Sequence, residues 1–206
     1  MEFHFETSGL TSAEIDNFQQ TFTILKDTFN IEATGYIDFQ LNSFEAFKQY
    51  TDFNIRDSYL IKNAEDNCYI LFAETQTKNV SSKGVVTELC EYQIWALAYL
   101  KCDLGKVMIR PETLRDKIVE LIFPIELDFE EDKAFSDTFY VVVNDRHKAV
   151  AGITRNLRNA VMDIREDDFV IEVSGHTLII GSRKPLSPQR AVHLAEFVTR
   201  LVEICN

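Results

Sequence analysis

The sequence predicts an α+β fold in which amphipathic helices pack on an antiparallel or mixed β-sheet. Three observations in the C-terminal half support this prediction. Residues 139–143 are apolar on both alternating faces, as in an inner strand covered on both sides. Residues 146–164 carry apolar side chains spaced by three and four, which is typical of a helix. Two apolar runs, 169–173 and 177–180, flank a glycine and indicate a hairpin. With a last helix, these elements make a β-α-β-β-α C-terminal unit.

The N-terminal residues predict a small helical region. Thr11 and Glu14 have the spacing of a capping box, and a helix is expected from there to about Phe29. Residues 36–41 alternate like a half-buried strand, and residues 43–50 are expected to form a short helix. We therefore expect residues 1–55 to form a helical lid or small subdomain and residues 56–206 the main α+β domain. One single domain over 1–206 is the alternative.

The middle of the chain predicts strands. The polar residues 75–84 are expected to form a mobile loop. Pro111 is suited to the first turn of a helix that Pro124 ends. Ser187 and Pro188 are expected to begin the last helix. The candidate strands are 59–62, 69–74, 85–92, 94–99, 106–110 and 125–129.

The order of elements over residues 106–202 resembles a bacterial family of unknown function. The resemblance is carried by the runs Ile-Arg-Pro-Glu from Ile109, Ile-Glu-Leu-Asp-Phe from Ile125, and Ile-Glu-Val from Ile171, with Gly175 after the last. Members of this family often carry membrane-spanning helices ahead of a soluble domain. The resemblance implies a fold class and no activity. This chain departs from the family because no apolar run in it approaches the length of a span.

The charge of the chain is strongly acidic. It has 206 residues and a formal net charge of −12, and 46% of the residues are hydrophobic, enough to fill a core. The acidic excess is concentrated in residues 1–104, which hold 16 acidic and 7 basic residues. This balance argues against nucleic-acid binding, which depends on neutralising phosphates.

The cysteine pattern and the N-terminus predict a cytoplasmic protein with reduced thiols. The four cysteines are scattered and include no Cys-x-x-Cys pair. The sequence begins without the basic and apolar regions of a secretory signal.

No residue is predicted to be catalytic, to bind a cofactor or to ligate a metal. The four histidines show no i, i+4 spacing, and glycine-rich phosphate loops are missing from the sequence. An acidic run lacks the glycine and spacing of a calcium loop, so a solvated strand edge and turn is favoured over a cation site. That run comprises Glu126, Asp128, Glu130, Glu131 and Asp132.

One feature suggests a contact surface. Lys148, Arg155 and Arg158 fall on the polar side of the expected central helix, where they would form a basic strip on an acidic protein. The favoured interpretation is a solvated face paired with the acidic run around residues 126–132. The alternative is a docking face for an anionic partner.

Two functions are compatible with these patterns. The first is a non-enzymatic cytoplasmic interaction module that binds another protein, for example an immunity or chaperone-like protein that masks a basic partner. The alternative is an enzyme whose site is assembled from distant His, Asp, Glu or Cys residues. The sequence indicates no oligomeric state.

Overall fold

The computed structural model describes residues 5–62, 68–80, 84–111, 125–165 and 168–205. These residues form an α+β fold with a nine-stranded antiparallel sheet and five α-helices. The strands are β1 Ile31–Ala33, β2 Asp52–Ile61, β3 Cys68–Val80, β4 Val86–Tyr99, β5 Lys106–Pro111, β6 Ile125–Glu126, β7 Phe139–Val143, β8 Val170–Ser174 and β9 Thr177–Gly181. The helices are α1 Ser12–Thr28, α2 Lys133–Ser136, α3 Arg146–Gly152, α4 Arg155–Asp163 and α5 Pro188–Cys205. The strand order is β1-β2-β3-β4-β9-β8-β5-β7-β6, and every neighbouring pair is antiparallel.

The two faces of the sheet are covered differently. Helices α1, α4 and α5 pack on the first face, where they bury residues such as Phe18, Leu157 and Val198 in the main core. On the second face, residues 35–51, which we call the strap, cross the strands β3, β4 and β9. The strap buries Phe44 and Phe47 in a smaller cluster on that face. No helix of the described residues is long and apolar enough to cross a bilayer.

Local signals at the first helix and at the inner strand are confirmed. Thr11 caps α1 and forms the expected capping box with Glu14. Strand β7 lies between β5 and β6. Its consecutive residues Val141 and Val142 point to opposite faces of the sheet, and each is only 1% exposed. Strands β8 and β9 form a hairpin whose turn contains Gly175 at a φ of +63°, a conformation that favours glycine.

The predicted helix over residues 146–164 is wrong as a continuous element. Helix α3 ends at Gly152, and the side chain of Thr154 begins α4 by accepting a hydrogen bond from the backbone N–H of Leu157 at 3.3 Å. The break rotates the two helical faces relative to each other. As a result Val150, expected to face the sheet, is 51% exposed, whereas Ile153 and Leu157 are buried as expected.

The strand predicted at 36–41 and the helix predicted at 43–50 are also wrong. The strap is irregular, with two 3-10 turns at Leu41–Ser43 and Glu45–Phe47. Gln40 precedes the first turn with a φ of +52°, which neither a strand nor an α-helix accommodates. The three phenylalanines of the strap, Phe39, Phe44 and Phe47, are buried by packing on the sheet rather than by regular structure.

The polar residues 75–84 are not a loop over the part that the structure describes. Strand β3 continues to Val80 and pairs with β4 as far as Val80↔Val86, and Lys78 forms an ion pair with Glu88 at 2.9 Å. The two strands predicted at 85–92 and 94–99 are one strand, β4. Residues 125–129 contain only the short strand β6. Pro111, expected in the first turn of a helix, is instead the last residue of β5 and pairs with Phe139. The rest of the helix predicted there lies outside the described residues.

The division into a lid at 1–55 and a main domain at 56–206 stays a prediction. In the structure β2 runs across residue 55 as part of the sheet. Helices α1 and α5, from opposite ends of the chain, share the main core. Both features cross the predicted boundary at residue 55.

Candidate functional site

A cleft of about 810 Å³ lies between the strap and β2. Its volume falls within the range of small-ligand sites in proteins, roughly 300–1,000 Å³. Three short stretches line it: residues 35–42 and 47–51 of the strap, and residues 52–58 of β2, with Glu6 at one end. The cleft therefore depends on the irregular conformation of the strap.

Aromatic side chains form one wall of the cleft. The ring centroids of Phe47 and Phe53 are 4.1 Å apart, and those of Tyr50 and Phe53 are 6.1 Å apart. Behind them Phe47 packs on Trp95 at 4.6 Å. The hydroxyl of Tyr50 donates a hydrogen bond to Oε1 of Gln93 at 2.9 Å. This wall is held in place by the sheet beneath it.

The rim of the cleft exposes further apolar surface. Tyr36 is 96% exposed and Ile37 is 36% exposed, next to Gly35, which has a φ of +66°. Contiguous exposed apolar surface of this kind is a feature of ligand-binding grooves and contact sites. The rim therefore adds an exposed aromatic group to the aromatic wall.

The charged groups around the cleft are predominantly acidic. Glu6, Asp38 and Asp52 line it, and none of these carboxylates forms an ion pair with a basic group of the described residues. The two basic lining residues are already paired, Lys48 with Glu45 and Arg56 with Glu74 at 2.6 Å. The cleft therefore presents carboxylates that form no ion pair with the basic groups of the described residues.

A buried carboxylate fastens the strap to the sheet. Glu172 of β8 is 3% exposed, and its two oxygens accept hydrogen bonds from the backbone N–H groups of Glu45 and Ala46, each at 2.9 Å. Burial raises the pKa of Glu172 to about 7, although the two backbone hydrogen bonds and Lys106 act in the opposite direction. The position of the strap is therefore coupled to an ionisable group.

A second exposed feature is the end of the ribbon formed by β3 and β4. Pairing of β2 with β3 ends at Asp52↔Gln76, and pairing of β9 with β4 ends at Trp95↔Gly181. The pairing of β3 with β4 continues beyond both of these end points for four further residue pairs, about 13 Å of ribbon. We call these residues, 77–80 and 86–89, the arm. The arm has no strand beside it in the described residues.

The arm carries apolar side chains on both faces. Val86 is 56% exposed and Leu89 is 45% exposed, and their separation by three residues places them on opposite faces of the ribbon. Exposed strand edges with apolar side chains are templates for pairing with another chain. The sequence patterns missed the arm because its polar residues resemble a loop.

The three basic residues predicted to form a strip are not all exposed at the surface. Arg158 is buried, and its guanidinium bonds to Asp132 at 2.8 Å and to Glu131 at 3.1 Å while stacking over Phe129 at 4.4 Å. Lys148 pairs with Asp103 at 2.6 Å. Arg155 is exposed. Docking of an anionic partner by Lys148, Arg155 and Arg158 stays a prediction, although two of the three have partners within the chain.

Two kinds of reactive group can be described, metal-ligating clusters and thiols. No group of three or more His, Cys, Asp or Glu residues among the described residues could hold a metal ion. The cysteines are free thiols, and burial raises the pKa of Cys102 and raises that of Cys205 to about 11. Thiols with raised pKa values are poor nucleophiles at neutral pH.

Comparison with known proteins bears on the fold. The structure is similar to the crystal structure of the mycobacterial trehalose monomycolate transport factor A, TtfA, with a TM-score of 0.57 and 8% sequence identity over 90% of this chain and 92% of that chain. At this identity the similarity shows the fold alone. No protein-family model and no curated protein matches the chain. The family resemblance over residues 106–202 therefore stays a prediction.

Proposed function

We propose that this protein is a non-enzymatic, cytoplasmic interaction module that binds another protein through the arm. The observation that carries the proposal is the paired ribbon that continues past its neighbouring strands with Val86 and Leu89 exposed. A partner that adds an extended segment along β4 gains backbone hydrogen bonds and covers these side chains.

The geometry of the edge supports this mode of binding. From Val86 to Ile94, β4 is paired with β3 on one side and with no strand of the described residues on the other. The backbone N–H of Leu186 donates to the carbonyl of Tyr92 at 2.7 Å and so limits the open edge to the arm and the residues just after it. The accessible length suits a short strand of about five residues.

We also interpret residues 139–205 as the β-α-β-β-α unit expected from the sequence, with its first helix divided into α3 and α4. In this interpretation the unit is a scaffold. It supplies β9, which pairs with the inner half of β4 and leaves the outer half open.

The experiment is a comparative capture from the native host, analysed by mass spectrometry. The arm variant carries Val86→Lys and Leu89→Lys, which place charge on both faces of the ribbon without disturbing the core. Val150→Lys is the control, because Val150 is equally exposed on α3 but lies away from the arm.

The proposal predicts that specific proteins co-purify with the parent and with the Val150→Lys control and are lost with the arm variant. Melting temperatures of the three proteins should agree within about 2 °C, since exposed substitutions change stability little. An arm variant that retains every partner of the parent would overturn the proposal.

A further inference from the structure

We propose that the cleft between the strap and β2 is a second binding site, which takes a cationic peptide segment carrying lysine or arginine beside an apolar side chain. The inference is independent of the arm, because the cleft and the arm use different residues. It rests on the shape, the aromatic wall and the unpaired carboxylates of the cleft.

The aromatic wall selects the apolar part of such a ligand. The rings of Phe47, Tyr50 and Phe53 form a continuous surface that the sheet supports from behind. A ligand side chain that covers the half-buried rings of Tyr50 and Phe53 removes apolar area from water, which stabilises the complex. The wall is formed before binding, so little ordering of the protein opposes association.

The carboxylates of the cleft favour a ligand that carries a positive charge. Asp38 and Asp52 line the cleft, and each accepts a hydrogen bond from a nearby backbone N–H, that of Gln40 at 2.9 Å for Asp38 and that of Phe53 at 3.0 Å for Asp52. These bonds orient the carboxylates but leave their charge without a cation. An ammonium or guanidinium group of a ligand supplies that cation.

The exposed ring of Tyr36 adds a further contact for a cation. A ring at 96% exposure presents its faces to water, where a lysine or arginine group can approach within about 6 Å of the centroid. Nucleic acid and acidic peptides do not fit, because their charge repeats that of the cleft. A basic segment with an adjacent apolar side chain matches the wall, the carboxylates and Tyr36 together.

The test uses a fluorescein-labelled eight-residue peptide that alternates lysine with phenylalanine and leucine, and a second peptide with glutamate in place of each lysine. Fluorescence anisotropy is measured with the parent protein at low and at physiological salt. The cleft variant carries Asp38→Asn and Asp52→Asn, which keep the side-chain shapes. The control carries Asp16→Asn and Asp27→Asn on the exposed face of α1, with the same change in net charge.

The inference predicts that the basic peptide binds the parent and the control alike, and that the cleft variant binds it roughly tenfold more weakly. Tyr36→Ala should also weaken binding, whereas the arm variant should bind as the parent does. The acidic peptide should not bind. Equal affinity of the cleft variant and the control, which would indicate general attraction to an acidic protein, overturns the inference, as does failure of the parent to bind the basic peptide.

Discussion

At the scale of single residues, basic side chains that appear similar in the sequence have different surroundings in the structure. Arg155 and Arg158 are three positions apart in α4, yet the first is exposed and the second is buried against two carboxylates and a phenylalanine ring. Both the basic strip and the acidic run that pairs with it were predicted from the sequence. It could not supply the burial of Arg158, which follows from the break at Thr154.

We predict that Arg158→Ala lowers the free energy of unfolding by roughly 2–4 kcal/mol, because it leaves the largely buried Asp132 without a cation. Arg155→Glu should change it by no more than about 0.5 kcal/mol. Urea unfolding of the two variants and the parent measures both effects. Equal stability of the two variants would contradict this description of the strip.

Glu172 makes the stability of the protein depend on pH. Its pKa is raised from an ordinary value of 4.5 to about 7 in the folded state, so the folded protein binds this proton more tightly than the unfolded chain does. The contribution to stability is therefore complete below pH 4.5 and is lost as the pH rises through about 7.

We predict that Glu172→Gln removes this part of the pH dependence. Between pH 5 and pH 8 the parent should lose roughly 2–3 kcal/mol of unfolding free energy relative to the variant. Urea unfolding of both proteins at four pH values isolates the difference, since the other groups are common to both. Parallel pH profiles would show that Glu172 does not titrate in this range.

At the scale of elements, regular patterns were predicted well and irregular ones poorly. The capping box of α1, the inner strand β7 and the hairpin at Gly175 follow from local chemistry that the sequence displays directly. The strap could not be predicted, because the aromatic residues Phe39, Phe44 and Phe47 are buried by an irregular chain whose path depends on Glu172, more than 120 residues away. Their density beside Asp38 and Asp52 was the available signal for the cleft.

The close contact between β4 and β9 allows a prediction about the stability of the sheet. Trp95 and Gly181 are directly opposite each other, and a Cβ at Gly181 would lie 2.9 Å or less from three ring atoms of Trp95. Gly181→Ala should therefore cost roughly 1–3 kcal/mol, because Trp95 is packed against Phe47 and has little room to move.

Thermal unfolding measures this cost, with Gly175→Asn as the control. Gly175 has open space at its Cβ position, and asparagine tolerates its left-handed conformation. A Gly181→Ala protein at least as stable as the control would show that the sheet can shift to accept the methyl group.

At the scale of the whole molecule, the proposal of an interaction module rests on the arrangement of the sheet, and the net charge of −12 is compatible with it. One face of the sheet is covered by helices, the other by the strap, and the ribbon of β3 and β4 extends beyond both layers. The acidic first half of the chain was expected to suit a basic partner, and the cleft that we propose as a binding site is also lined by carboxylates. The arm was not predictable, because it depends on where the neighbouring strands β2 and β9 stop.

The most direct test of the interaction module is site-specific photo-crosslinking in the native host. A photoreactive phenylalanine analogue replaces Leu89 in the arm or, as the matched control, Val150 on α3, which has a similar exposure. Adducts are identified by mass spectrometry after irradiation. We expect a defined adduct with another protein at position 89 and none at position 150. No adduct at position 89, or the same adducts at both positions, would contradict binding through the arm.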